Sequence, residues 1–304
     1  MYESKGRKAG HWSFLREERY HDDFADCPED AEVVSLRRSD RNWRRLAKLP
    51  ALEELTIVRG SQEQIAFAFT LGRLKRLRLC YCRKTDLAGL SGLGRLEELS
   101  IQACSNLGAI DEIGRLPRLR ALHLARLWKQ SDFSALAGAT KVRWLELEGS
   151  LEKDICIESL EFLKDWKELE GLTMMEMRLI SKFPALGPLK GLPSLRNLKI
   201  GYGAVSFDDY AWLAGALPDV ESTPVGPFWM WNSDDLLNQP GATAMEYLCG
   251  PGGRTVIPER AATGGFAPYG WDMRGMGGRS KAAIQRLQDA IDRYDRIVTQ
   301  YAPT

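Results

Sequence analysis

The sequence predicts an α/β solenoid, a curved parallel sheet on the inner face with short helical or 3-10 pieces outside. Two observations predict it. The segments LPALEELTI (49–57), LGRLKRLRL (71–79), LGRLEELSI (93–101), LPRLRALHL (116–124), ATKVRWLEL (139–147), WKELEGLTM (166–174) and LPSLRNLKI (192–200) share L-x-x-L-x-x-L-x-L, and their starts advance by 22, 22, 23, 23, 27 and 26 residues. Between the early segments, Leu87, Leu90, Leu107, Ile110 and Ile113 supply further apolar positions. A fixed period of this length is the mark of a repeat architecture, in which no single unit buries its own apolar face.

The elements follow in order. Residues 1–32 form an N-terminal cap, with Trp12, Phe14 and Leu15 as its packing residues, because a solenoid end otherwise exposes raw apolar surface. Val34 and Leu36 make an early degenerate strand. In each L-x-L a short strand turns two apolar side chains to one face and the residues between them to the other. Stacked turns then bring the strands into a parallel sheet, and about eight of them at roughly 4.8 Å give an inner face on the order of 35–40 Å long. LPDVEST (217–223) reads as a last turn in which Thr223 takes the place of the strand leucine. The solenoid thus spans 33–223.

From residue 224 to 304 the composition turns to Gly, Pro and Trp, as in PFWMWN (227–232) and CGPGGRT (249–255). Periodicity resumes in 280–302, where Ile284, Leu287, Ile291, Tyr294, Ile297, Val298 and Tyr301 fall at helical spacing behind Ser280 as N-cap. Two readings stand for 224–304: an elaborate cap over the last repeat, or a separate functional element, since long aromatic- and glycine-rich loops often carry binding.

With seven segments in register, residues 33–223 resemble the leucine-rich-repeat family, in its short 22-residue, internalin-like class. The resemblance implies strands on the concave face, short helical or 3-10 pieces on the convex face, and a scaffold for protein recognition. It also implies an Asn or Cys three residues after the second strand leucine, satisfying backbone groups in the turn. Cys82 and Cys104 fit; Gly60, Leu127, Ser150, Met177 and Gly203 depart from the pattern, so a continuous ladder is absent.

Forty-two Lys+Arg against forty-one Asp+Glu give a net charge of +1, so no overall field draws the chain to a polyanion or an anionic membrane. The apolar runs are too short to span a bilayer, and the charged start carries no secretion stretch, so the expected location is cytoplasmic. Cys27, Cys80, Cys82, Cys104, Cys156 and Cys249 show no zinc-type spacing, and Cys249 is not followed by the pattern of a ubiquitin-ligase cysteine. Only His11, His21 and His123 are available for histidine chemistry, none in a nucleophile setting. GPGGRT and GMGGRSK miss the phosphate-loop pattern. Asp208–Asp209 and Asp234–Asp235 read as helix starts or solvated turns. No catalytic residue, metal or cofactor is therefore expected. The basic run Arg37, Arg38, Arg41, Arg44, Arg45 and Lys48 faces an acidic cap (Asp22, Asp23, Asp26, Glu29, Asp30, Glu32), so internal pairing is favoured over nucleic-acid contact.

The register also lists the inner-face side chains. Glu54, Arg76 and Glu98 alternate in sign and pair laterally as exposed ion pairs, each worth roughly 0–1 kcal/mol. In the middle, His123, Trp144, Glu146 and Glu148, flanked by Arg126, Met175 and Glu176, set one large aromatic among acidic groups. This is the predicted partner-binding patch, with Trp229, Trp231 and Trp271 as secondary candidates. The function read from the sequence is non-catalytic recognition of an intracellular protein with a basic or amphipathic surface, in a regulatory, adaptor or toxin-neutralising role. The alternative is an enzyme whose repeats recruit a protein substrate while 225–304 carries the activity. Oligomeric state is not legible.

Overall fold

The computed structural model describes residues 19–104, 106–150, 153–201, 204–223, 230–232, 245–250, 253–258 and 292–303. Nine strands form one sheet in chain order: β1 (Val33–Arg37), β2 (Glu54–Val58), β3 (Arg76–Cys80), β4 (Glu98–Gln102), β5 (Ala121–Ala125), β6 (Trp144–Glu148), β7 (Gly171–Met175), β8 (Asn197–Ile200) and β9 (Glu221–Thr223). Every neighbouring pair is parallel.

The register stacks the repeat leucines into two columns. Val34, Leu55, Leu77, Leu99, Leu122, Leu145, Leu172 and Leu198 form one, and Leu36, Ile57, Leu79, Ile101, Leu124, Leu147, Met174 and Ile200 the other. All sixteen are at most 3% exposed. Burial of such side chains, about 1.5–3 kcal/mol each, is the main force holding successive turns together.

Five turns leave their strands the same way. The residue two beyond the second column has a positive φ at Arg59 (54°), Tyr81 (56°), Ala103 (51°), Arg126 (56°) and Glu176 (49°); in the 147–149 turn the equivalent residue is Gly149, whose φ is not left-handed. A left-handed backbone costs a non-glycine residue roughly 1–2 kcal/mol. At four of the five a hydrogen bond to the next strand offsets it: the amides of Arg59, Tyr81, Ala103 and Arg126 donate to the carbonyls of Cys80, Gln102, Ala125 and Glu148 at 2.7–2.9 Å, and Gly149 makes the equivalent bond to Met175 at 2.9 Å. At Gly149 a Cβ would collide with the carbonyl oxygen of Glu176, so a side chain has no room there. One residue further on, the Cys82 thiol donates to the carbonyls of Cys80 (3.4 Å) and Ile57 (4.0 Å), and the Cys104 thiol to those of Gln102 (3.5 Å) and Leu79 (3.6 Å). These cysteines play the backbone-satisfying part the resemblance implies, and Leu127 and Met177 at the equivalent place are buried core instead.

Outside the sheet run α1 (Gln62–Ala68), started by a Ser61/Gln64 capping box, and a series of short 3-10 segments. Glu112, in one of these, ties neighbouring repeats together by accepting from the Ser91 amide at 3.1 Å and pairing with Arg115 at 2.6 Å. Its hydrogen bonds with Ser91, helped by Arg115, hold its carboxyl below the ordinary 4.5. A depressed folded-state pKa contributes stability that is complete above the unfolded value and lost as pH falls through the folded one. Thermal melts from pH 7 to pH 3 should therefore show Glu112→Gln less stable than the parent at pH 7, with the gap closing below about pH 4. A gap independent of pH would mean that the carboxylate charge is not what Glu112 supplies.

The ends differ in part from expectation. At the N-terminus, Phe24 (fully buried) and Cys27 cover the first turn, with the Phe24 amide donating to the Arg41 carbonyl at 3.0 Å and Tyr20 bridging to Ser35. Trp12, Phe14 and Leu15 lie outside the described residues. At the other end β9 pairs Ser222 with Leu198 and Thr223 with Lys199, so Ser222, not Thr223, occupies the leucine level. The helix α2 (Phe207–Ala216) leads into this last turn, in which the Val220 amide donates to the Leu217 carbonyl at 3.2 Å just as Leu195 does to Leu192, so the chain is one residue short only after Val220, where Glu221 enters the strand directly. Asp209 closes the Ser206 capping box of α2 and accepts from the Ala185 amide at 2.7 Å, so Asp208–Asp209 is a helix start.

The helix α3, residues 292–301, packs on α2. Tyr294 is buried with its ring 5.8 Å from Phe207, Tyr301 lies 6.1 Å from Phe183 and 6.3 Å from Trp212, and Arg293 pairs with Asp208. Ser280, Ile284, Leu287 and Ile291 lie outside the described residues. Between the two helices, β10 (Met230–Asn232), β11 (Met245–Gly250) and β12 (Gly253–Pro258) make a small antiparallel sheet. Among the described residues no helix is long and apolar enough to cross a membrane.

Candidate functional site

The parallel register places Ser100, His123, Glu146 and Thr173 side by side across β4 to β7, all on the solvent face of the sheet. Two residues along, Gln102, Ala125, Glu148 and Met175 form the next row. Two residues the other way, Trp144 stands between Ala121 and Gly171. Small residues on both sides give the indole its place. It packs on Ala121 and lies over Gly171, where a Cβ would collide with its six-membered ring.

His123 is 5% exposed and Glu146 8%, although both belong to the face that carries no leucines. The imidazole is fixed at both nitrogens. Nδ1 lies 3.1 Å from Ser100 Oγ and 3.2 Å from Gln102 Nε2, and Nε2 lies 3.3 Å from Glu148 Oε2. Gln102 also donates to Ser100 Oγ at 3.1 Å and accepts from Arg78 at 3.3 Å. The polar string Arg78–Gln102–Ser100–His123–Glu148 therefore crosses four strands. His123, Glu146 and Glu148 each offer a ligand atom within 4.8 Å of the others, with Glu148 the more open.

The structure thus brings together four of the predicted residues: His123, Trp144, Glu146 and Glu148. Met175 ends β7 opposite Glu148, while Arg126 and Glu176 occupy left-handed turn positions at the rim. Trp231 lies in β10, and Trp229 and Trp271 fall outside the described residues. Gln102, bonded to Ser100 and His123, is the neighbour that the strand centres alone do not name. It lies two residues after Ser100, and period two along a strand puts it on the same face.

The remaining charge is largely spent internally. Arg76 lies 3.6 Å from Glu54 and 3.4 Å from Glu98, as the alternation predicts, but the expected exposure is corrected: the Glu54 side chain is 4% exposed and those of Arg76 and Glu98 17% and 16%. Columns one strand spacing apart on an inward-curving sheet stack and shield one another. In the basic run, Arg37 pairs with Asp22 and Asp40, Arg41 with Asp23, Arg44 with Glu63 and Arg45 with Glu29. Three of the acidic partners, Asp22, Asp23 and Glu29, belong to the cap, as the expected internal pairing has it, while Asp40 and Glu63 lie outside it.

No family model matches the chain, and no curated protein does. Among solved structures it is similar to an internalin (inlF) of Listeria monocytogenes, at 16% identity over 65% of this chain and 68% of that one with a TM-score of 0.45. It is also similar to an internalin C2 of the same organism (18%, 58% and 73%, TM-score 0.39) and to a leucine-rich-repeat protein of Leptospira interrogans (16%, 64% and 55%, TM-score 0.41). The fold assignment stands on the chain's own repeat: nine parallel strands in sequence order, two stacked apolar columns and short helical pieces outside make it a leucine-rich-repeat solenoid.

Proposed function

We propose that the protein is a non-catalytic recognition module that docks an intracellular protein partner on the strand face between β5 and β7. The observation that carries this reading is the placement of Trp144, a half-buried indole lying over Gly171 beside the acidic group of Glu146 and Glu148. Tryptophan is the residue type most enriched at the energetic centres of interfaces, and a rigid aromatic on a sheet loses little freedom when covered. The acidic neighbours favour a basic or amphipathic partner surface. A regulated enzyme, an assembly subunit or a toxin fits that description.

The test is affinity capture from native extract, followed by titration of the captured protein against purified variants. Trp144→Ala is expected to weaken binding by roughly 30-fold or more, the size of an interface hot spot of at least about 2 kcal/mol. Glu148→Lys should weaken it further for a basic partner, and circular dichroism should show both variants folded. Unchanged affinity in folded Trp144→Ala would overturn the docking face. Binding that instead depends on residues 225–304 would move the function there.

A further inference from the structure

We propose that His123, Glu146 and Glu148 bind one divalent cation of zinc or cobalt type on the strand face. The inference goes beyond partner docking and needs no partner to be tested. The donors are one imidazole nitrogen and two carboxylates whose ligand atoms lie within 4.8 Å of one another. Around an ion with ligand distances of 2.0–2.2 Å, neighbouring donor atoms stand roughly 3–3.5 Å apart. His123 Nε2 and Glu148 Oε2 are already at 3.3 Å.

The backbone holds these donors in place. His123 and Glu146 are direct partners in the β5–β6 register, and Glu148 follows two residues on, on the same face. Sheet-borne ligands need little ordering on binding. Burial adds a reason for a cation. His123 and Glu146 are nine-tenths buried, and two carboxylates held this close repel and lose solvation. An imidazolium brings one positive charge to this group, and a divalent ion brings two.

The outer shell suits a metal-bound histidine, whose second nitrogen is normally anchored by a hydrogen bond. With the metal on Nε2, the ring keeps its single proton on Nδ1 and donates it to Ser100 Oγ, 3.1 Å away, so the Gln102 amide N–H, 3.2 Å from Nδ1, is turned to Ser100 Oγ and not to the ring. The same oxygen has a second lone pair for the Gln102 amide at 3.1 Å. An imidazole donor with two oxygens favours zinc, cobalt or nickel over magnesium or calcium, which prefer all-oxygen sets. Glu148, with its side chain 32% exposed, marks the solvent side, where water completes the coordination.

The experiment uses the full chain, chelator-treated and desalted. Cobalt(II) titration is read by visible d–d absorption, and zinc(II) by equilibrium dialysis with elemental analysis. One equivalent should bind at micromolar or tighter affinity, zinc should bleach the cobalt spectrum, and no near-ultraviolet thiolate band should appear. His123→Gln and Glu148→Gln should each weaken binding at least ~100-fold, and Ser100→Ala about 10–100-fold, as for an outer-shell partner. Glu170→Gln, on the rim of the sheet, should bind as the parent does. Glu148 is partly exposed, so its variant remains informative if the His123 variant fails to fold. Absence of binding, a thiolate band, or affinity retained in folded Glu148→Gln would overturn the site. None of these outcomes decides whether Trp144 itself packs on a partner; a bound cation would cancel the charge that Glu146 and Glu148 offer a basic surface, so the docking test is run on the chelator-treated chain as well.

Discussion

Trp166→Ala is expected to lower the unfolding free energy by about 3–5 kcal/mol, while Trp166→Phe changes it by about 1 kcal/mol or less. Trp166 is the largest fully buried side chain among the described residues. It stands edge-on to Phe162 at 5.7 Å, and Phe162 in turn lies 6.3 Å from Phe133 of the preceding repeat. Alanine would leave a cavity in the middle of this aromatic row, and a solenoid turn held only by its neighbours has few ways to collapse into it. Phenylalanine loses some contact area. It also removes an indole N–H that is buried with no hydrogen-bond partner among the described residues, a group whose burial itself costs about 1–3 kcal/mol. Urea unfolding followed by circular dichroism measures both variants. Equal losses would mean that the indole donor is satisfied in solution and that this hydrogen bond, rather than the volume of Trp166, carries its contribution.

Trp166 also shows what the sequence made legible. It opens the segment WKELEGLTM, in the place held by leucine in five of the seven segments, so its register predicted a buried position. The same register located every strand of the sheet from β1 to β8, because leucine spacing reports directly which side chains must be covered. Where no apolar period constrained the chain, the reading slipped. The repeat spacing puts Thr223 at the leucine level, whereas it pairs with Lys199 one residue beyond, because the chain is one residue short after Val220 and no leucine marks the change. Phe24, lying before the first repeat, had no period to point to it.

The site was legible in part for a related reason. Alternation told which residues share the strand face, so His123, Trp144, Glu146 and Glu148 could be grouped before any coordinates. It said nothing about depth. The burial of Glu54 and Glu146, and the convergence of an imidazole with two carboxylates, depend on the curvature and side-chain rotamers that join neighbouring strands. Cysteine spacing does not point to this cluster, because its donors come from two strands, with Glu146 and Glu148 lying 23 and 25 residues after His123 in no fixed short motif.

Gly215→Ala should loosen α3 and leave the early repeats intact, the reverse of what helix propensity alone predicts. Gly215 lies in α2, where alanine is favoured over glycine by about 1 kcal/mol in an isolated helix. Here a Cβ would collide with the carbonyl oxygen of Val298 and come within 3.0 Å of its carbonyl carbon. Both are backbone atoms of α3, so relief requires the whole helix to move, at a cost of about 1–3 kcal/mol that outweighs the propensity gain. The contacts of Tyr294 with Phe207 and of Tyr301 with Phe183 and Trp212 would open together, because they belong to the same rigid element. Repeat proteins couple only neighbour to neighbour, so the disturbance should fade within a repeat or two of the end. Hydrogen exchange reads this directly. Amides of 292–301 are expected to exchange about 10-fold faster in the variant, a loss of about 1.4 kcal/mol in local opening free energy, while those of β2 to β4 keep the parent's protection. If protection in α3 is unchanged or increased, α3 does not press on α2 at Gly215 in solution, and the last repeat is covered in some other way.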